Sequence, residues 1–178
     1  GELGEPDSLY VLGDSDIPFG AFLESYLTDG GAYYATGNYY NYLPGERLND
    51  SNVALDLGAY LVESVTETPL DEHSDAAIFD VLDMPNTGWH LADLDASLVA
   101  IPHSGYGDDR TPYGHYGYPD YACGQLRSSA ADLARFLLAY DLGGSLDGAR
   151  ILDDDTVEEM WSAAVPGVDE TQGLAWYW

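Results

Sequence analysis

From Ser15 onward, Phe19, Phe22, Leu23, Tyr26 and Leu27 recur at helical spacing, with Pro18 in the first turn and Gly30 just past the end. That spacing predicts an amphipathic helix with one apolar stripe. Residues 52–66 are nearly all apolar or small and include Val53, Ala54, Leu55, Leu57, Leu61, Val62 and Val65. A helix apolar around most of its circumference is predicted to be buried. Thr68-Pro69-Leu70-Asp71 opens a third helix, with Thr68 as cap, Pro69 at the first helical position and Asp71 in the first turn, running to about Leu82. Ser129-Ala130-Ala131-Asp132 reads as a capping box in which Asp replaces Glu; it precedes the stripe Leu133, Phe136, Leu137 and Tyr140, which Gly143-Gly144 ends. Asp153-Asp154-Asp155 sets negative charge at the start of a last helix through Met160 and Trp161, where the helix dipole favours it. Ile151-Leu152 reads as a short extended piece. Leu174-Ala175-Trp176-Tyr177-Trp178 reads as the start of a strand, whose partner must be an earlier strand, another chain or further sequence. Residues 30–45 and 85–121 carry no period and are predicted to be irregular.

The pattern is thus α+β and mainly helical, in a chain of 178 residues that the size prior makes one domain, 1–178. Apolar residues are 46% and aromatic residues 13% of it, enough to form a core. Charge changes the picture more than any other property. Asp and Glu number 32 against 5 Lys plus Arg, a formal charge of -27. The five cations are Arg47, Arg110, Arg127, Arg135 and Arg150, so the chain has no lysine. Nucleic acid is excluded as a general partner, because binding it takes clustered cations that release counterions. No apolar run is long enough for a membrane helix, so membrane insertion is not expected. Self-repulsion at this charge density is relieved by salt, which predicts a halophile's protein.

Candidate chemistry is sparse. Tyr33, Tyr34, Tyr39, Tyr40 and Tyr42 form either a stacking platform for a ring or an ordered loop packed over a core edge. His73, His90, His103 and His115 have no metal-ligand spacing, and no Gly-x-Ser-x-Gly elbow supports a Ser-His-Asp triad. The single cysteine, Cys123, reads as a small hydrophobe and rules out a disulfide framework. No cofactor and no metal site are expected.

Three blocks in order carry a resemblance. They are Pro44-Gly45-Glu46-Arg47-Leu48-Asn49-Asp50-Ser51-Asn52-Val53-Ala54, then Ile78-Phe79-Asp80-Val81-Leu82-Asp83-Met84-Pro85-Asn86-Thr87-Gly88-Trp89, then Gly124-Gln125-Leu126-Arg127-Ser128-Ser129-Ala130-Ala131-Asp132-Leu133-Ala134-Arg135-Phe136. Together, over about residues 40–160, they resemble the serine β-lactamase-related family of class C β-lactamases, D-Ala-D-Ala peptidases and related esterases.

The resemblance implies acyl transfer through a serine ester, with a Ser-x-x-Lys nucleophile and base, a Tyr-x-Asn relay, and a late Lys-Thr-Gly or His-x-Gly strand. Ser-x-x-Lys needs a lysine that this chain lacks, and would fall before residue 1; the late strand would fall after Trp178. The Tyr-x-Asn station reads Asp50-Ser51-Asn52, so asparagine is kept and aspartate stands in the tyrosine position. By resemblance, Asp50 and Asn52 are the candidate catalytic residues, and Asn52, Tyr39 and Tyr40 the candidate substrate contacts. The implied architecture is the helical region of a β-lactamase/transpeptidase-like fold lacking most of the sheet strands, incomplete at both ends. The implied function is that of a segment of a serine hydrolase acting on an ester, amide or peptide, whose partner is a small-molecule or peptide substrate. The alternative is an inactive homologue serving as a binding or assembly module, self-associating or taking a partner chain through the C-terminal strand. Members of the family are often exported, here into a salt-rich environment.

Overall fold

The computed structural model describes residues 9–178. Their contacts divide into two units: residues up to Asn38, Asn52–Asp71 and Asn86–Ser128 form the first, and Tyr39–Ser51, Glu72–Pro85 and Ser129–Trp178 the second.

In the first unit, helix α1 (Phe19–Leu27) starts after Pro18, whose φ of -61° and extended ψ place it at the N-cap rather than inside the first turn. It ends where the Thr28 backbone N–H donates to Glu24 O, with Gly30 at φ +83° completing the turn. Phe19, Phe22 and Leu23 are the buried stripe that the periodicity predicts, and they pack with Leu9, Leu70 and Tyr121. Helix α2 (Asn52–Thr66) crosses α1 closely. Gly20 permits this approach, because a Cβ there would stand 2.7 Å from the Tyr60 ring. Phe19 meets the same ring edge-on at 5.9 Å.

The burial expected of α2 is not what the structure shows. Its one buried side chain is Asp56, while Leu55, Leu57, Leu61, Val62 and Val65 are exposed, Val65 by 82%. An apolar sequence sets a helix's demand for burial, but covering it needs a second surface, and none of the described residues covers this one. The next helix, α3 (Leu70–Ser74), is capped not by Thr68 but by Glu63, whose Oε2 accepts from the Leu70 N–H at 3.1 Å. Thr68 instead donates its hydroxyl to Thr66 O.

The remainder of this unit is short paired pieces. β1 (Val11–Leu12) lies antiparallel to β4 (Tyr116–Gly117), and β2 (His103–Ser104) to β3 (Thr111–Pro112). Asp14 ties the irregular segments together: its carboxylate accepts from the Leu91 and Ala92 N–H groups at 2.8 and 3.1 Å and from Gln125 Nε2 at 3.3 Å. Arg127, 4.0 Å from Asp14, donates to Trp89 O and Tyr116 O, and its backbone pairs with Gly88. The residues of the second and third resemblance blocks are therefore joined by backbone and guanidinium hydrogen bonds.

In the second unit, the predicted helix to Leu82 loosens into a π-turn at Asp75–Phe79, where the Asp80 N–H reaches Asp75 O. Phe79, Leu82 and Met84 are buried there. Helix α4 (Ala130–Asp141) is capped as predicted, with the Asp132 N–H donating to Ser129 Oγ at 3.1 Å. Of its predicted stripe only Tyr140 is fully buried, while Leu133 and Leu137 are exposed. Arg135 donates to Leu82 O and pairs with Asp147 at 3.2 Å.

The helix stops at Gly143 and Gly144, at φ +70° and +86°. The extended piece predicted at Ile151-Leu152 is instead a hairpin just before it, β5 (Ser145–Leu146) with β6 (Ala149–Arg150). Its two-residue loop, Asp147-Gly148, has positive φ at both positions (+53° and +87°), the geometry that Asp-Gly favours.

Helix α5 (Asp154–Trp161) follows, with Asp154 and Asp155 in its first turn as predicted. The C-terminal residues do not form the predicted strand. They turn back on themselves through Gly173 N to Trp176 O and Trp178 N to Thr171 O, with Ala175 at φ +60°. Aromatic stacking drives this: Trp176 stacks on Tyr140 at 4.2 Å, and Trp161 contacts both. Tyr140 is 2% exposed, and its hydroxyl has no hydrogen-bond partner. Removing that desolvated oxygen relieves a penalty of about 1–3 kcal/mol. Tyr140→Phe is therefore expected to raise the melting temperature; a fall would show that the hydroxyl contributes net stability.

Candidate functional site

The loop of the second unit that carries Asp50 is held by local polar bonds. Glu46 Oε2 accepts from the Leu43 N–H at 3.0 Å, and the Glu46 N–H returns to Leu43 O, closing the Pro44-Gly45 turn, with Gly45 at φ +84°. Tyr40 stacks on Tyr42 at 5.0 Å, Arg47 lies 5.3 Å over the Tyr42 ring, and Asn49 donates to the Tyr42 hydroxyl. The tyrosines thus include a ring stack with a cation on it, and Tyr39 and Tyr40 are both about half exposed.

Next to this stack a cleft of about 150 Å³ is lined by Arg47, Leu48, Val165, Val168, Asp169 and Gln172. Thr171 donates its N–H and hydroxyl to Asp169, both at 2.7 Å, and these bonds hold the Asp169 carboxyl below its ordinary range. The cleft therefore offers one guanidinium, one carboxylate kept ionised, and apolar walls.

Asp50 is exposed, and its Oδ1 accepts a 2.6 Å hydrogen bond from the Tyr177 hydroxyl. That bond, first among its causes, pushes the Tyr177 phenol above its ordinary value. Tyr177 also bridges by its backbone to Gln172, one of the residues that line the cleft. Asn52 is the first residue of α2, exposed, and belongs to the other unit. The four predicted residues thus divide: Tyr39, Tyr40 and Asp50 share the second unit, and Asn52 lies in the first. Sequence reasoning missed Tyr177, which is 127 residues from its partner and had been assigned to a strand.

The first unit has a separate cavity of about 230 Å³, lined in part by Asp16, Glu63, His90 and Tyr121. His90 lies 3.9 Å from Asp14 and 3.8 Å from Asp71, over the Tyr121 ring. Burial, first among the causes, pushes the Tyr121 phenol upward. Among the described residues one group of three side chains has metal-ligand proximity: Asp56, Asp120 and Cys123, in this unit.

The Beta-lactamase family profile matches residues 20–178, and the chain belongs to that family. Solved structures share the fold at low identity. The octameric penicillin-binding protein homologue from Pyrococcus abyssi matches with a TM-score of 0.59 and 20% identity, over 85% of this chain and 37% of that one. The D-amino acid amidase from Ochrobactrum anthropi SV3 matches at 0.58 and 18%, over 84% and 44%. EstCE1, a hydrolase with promiscuous acyltransferase activity, matches at 0.56 and 19%, over 77% and 40%. The chain thus spans less than half the length of these three structures. No curated protein matches it by sequence. Five helices and three two-stranded sheets among the described residues make it an α+β part of a β-lactamase-like fold.

Proposed function

We propose that this chain is part of a serine hydrolase that cleaves an ester, amide or peptide bond through an acyl-serine, with the serine and its base supplied by residues outside these 178. The observation that carries this reading is the family match over residues 20–178 with Asn52 retained at the second motif. In such a reaction the serine oxygen attacks the carbonyl as its proton passes to the base. The leaving group departs with a proton, and water then cleaves the ester. Asn52 orients the substrate through its carboxamide.

Asp50 alters the relay. A phenol acting as base must release its proton easily, and Tyr177 is shifted the other way by its bond to Asp50, so it does not replace the family's tyrosine. A carboxylate at position 50 also repels substrates that carry one, which favours neutral esters and amides over penicillins.

The test is labelling of the intact protein from its source with a serine-directed fluorophosphonate. One labelled serine is expected, and Asp50→Tyr is expected to label ~10-fold faster or more, because a positioned acid-base group contributes at least that much. Absence of labelling in both forms would overturn the reading. The chain would then be an inactive homologue used for binding or assembly, a reading that aspartate in the tyrosine position favours.

We also propose a salt-adapted source. The surplus of 32 acids over 5 cations leaves most carboxylates without an ion-pair partner. Thermal melts in about 0.1 M and about 2 M KCl are expected to show a higher midpoint in the concentrated salt, where the screening length falls to a few Å. A midpoint unchanged between the two would remove the claim.

A further inference from the structure

Asp56 stands in α2 between apolar neighbours, Leu55 and Leu57, and is the one side chain that helix buries completely, at 0% exposure. Asp120, also at 0%, immediately precedes the 3₁₀ turn Tyr121–Cys123 on which α2 packs. A carboxylate oxygen of each and the Cys123 Sγ lie within 4.8 Å of one another. Both Asp56 oxygens and Asp120 Oδ1 are buried without a well-formed hydrogen bond, and the Cys123 N–H and thiol act only weakly on the Asp56 carboxylate.

Buried polar atoms in folded proteins are paired in nine cases of ten or more, so a cluster that leaves three carboxylate oxygens without a well-formed bond calls for a proton or a cation among them. A bare buried carboxylate pair costs several kcal/mol, at least, through desolvation and mutual repulsion. A single shared proton satisfies only two of the three oxygens.

We propose that Asp56, Asp120 and Cys123 bind one borderline-soft divalent cation of the zinc type. Two carboxylate oxygens and a thiolate are a donor set that zinc accepts, with water completing a tetrahedron. Calcium and magnesium demand about six or more oxygens and avoid sulfur, which excludes them here. Ligand–ligand separations in a zinc tetrahedron are about 3.3–3.8 Å by bond-length geometry, and Cys123 Sγ already lies 3.7 Å from Asp120 Oδ2. Binding releases the thiol proton of Cys123, whose Sγ donates to Asp120 O at 3.1 Å, and any proton held by the carboxyls. The half-buried Cys123 leaves a path for entry. Two groups that face the cluster, Tyr118 and Tyr121, are phenols pushed upward, first by burial and then by neighbouring negative charge that includes Asp120 and Asp56 respectively. They stay neutral beside it and add no competing charge. The site lies wholly in the first unit and does not depend on the hydrolase reading.

The test is titration of the reduced, chelator-stripped chain with cobalt(II) chloride and then zinc chloride, in about 2 M KCl to screen the surface carboxylates. Expected is a thiolate-to-cobalt charge-transfer band that saturates at one ion per chain and is bleached by zinc. The band should be absent in Cys123→Ser, and affinity should fall ~10-fold or more in Asp56→Asn. Zinc should raise the melting temperature of the wild type but not of Asp56→Asn. No saturable band in the wild type overturns the proposal, as does undiminished binding in both variants, which would assign the metal to surface acids.

Discussion

Replacing Asp56 by asparagine is expected to make the metal-free chain more stable at pH 8 and to flatten its stability between pH 5.5 and 8.5. Burial, first, and then the charge of Asp120 push the Asp56 carboxyl from its ordinary 3.8 up to about 8; the weaker pull of Cys123 opposes them. In the window between those values the folded chain keeps a proton that the unfolded chain has released. The native state therefore binds more protons, and stability falls as pH rises through the window, levelling off above about 8. At about 1.4 kcal/mol per pH unit, the part of the window above pH 5.5 accounts for at most ~3 kcal/mol. Imidazoles also titrate in this interval, so the difference between the two forms, and not the slope of either alone, isolates Asp56. Asparagine keeps the shape and removes the charge. The measurement is the guanidinium midpoint with chelator present at the two pH values, for both forms. A slope of equal size in the Asp56→Asn chain would place its origin elsewhere.

Phe22→Ala is expected to cost about 3–5 kcal/mol, a loss comparable with the whole stability of a small domain. Phe22 is 1% exposed, and its ring contacts those of Tyr26 and Tyr33 at 5.8 and 5.7 Å, so truncation leaves a cavity that these two rings do not collapse to fill. Leu55→Ala on α2 removes a side chain that is 57% exposed, and its cost is expected to stay within about 0.5 kcal/mol. Denaturant melts of the two variants in the same salt measure the contrast. Equal losses would mean that α2 is covered in solution; a small loss for Phe22→Ala would mean that α1 does not seat on the core described here.

The candidate site was legible in part. The run from Pro44 to Asn52 resembles the second-motif station on sequence alone, and the structure gives Asp50 of that run a hydrogen bond from Tyr177. Tyr177 was not legible as its partner, because side chains 127 residues apart meet only through folding, and because the apolar, aromatic run of the last five residues imitates a strand. The acidic cluster left one trace in the sequence, a lone aspartate within an apolar helix. Asp120 and Cys123 look like ordinary loop residues until the 3₁₀ turn carries them against α2.

What the sequence by itself determined are the features whose causes are local. Periodicity and caps set α1, α2, α4 and α5 close to their observed limits, since Ser129 capping, the aspartates of the last helix and the glycines after α4 act within one turn of chain. The Asp147-Gly148 hairpin has an equally local cause, although the sequence reading placed an extended piece at Ile151-Leu152 and missed it. Tertiary structure decided everything that depends on a second surface. It decided that Leu61 and Val65 face outward while Asp56 faces inward, and that Trp176 folds onto Tyr140 instead of extending. Hydropathy states how strongly a side chain resists water, but which side chains escape it is settled by the elements that come to lie against them.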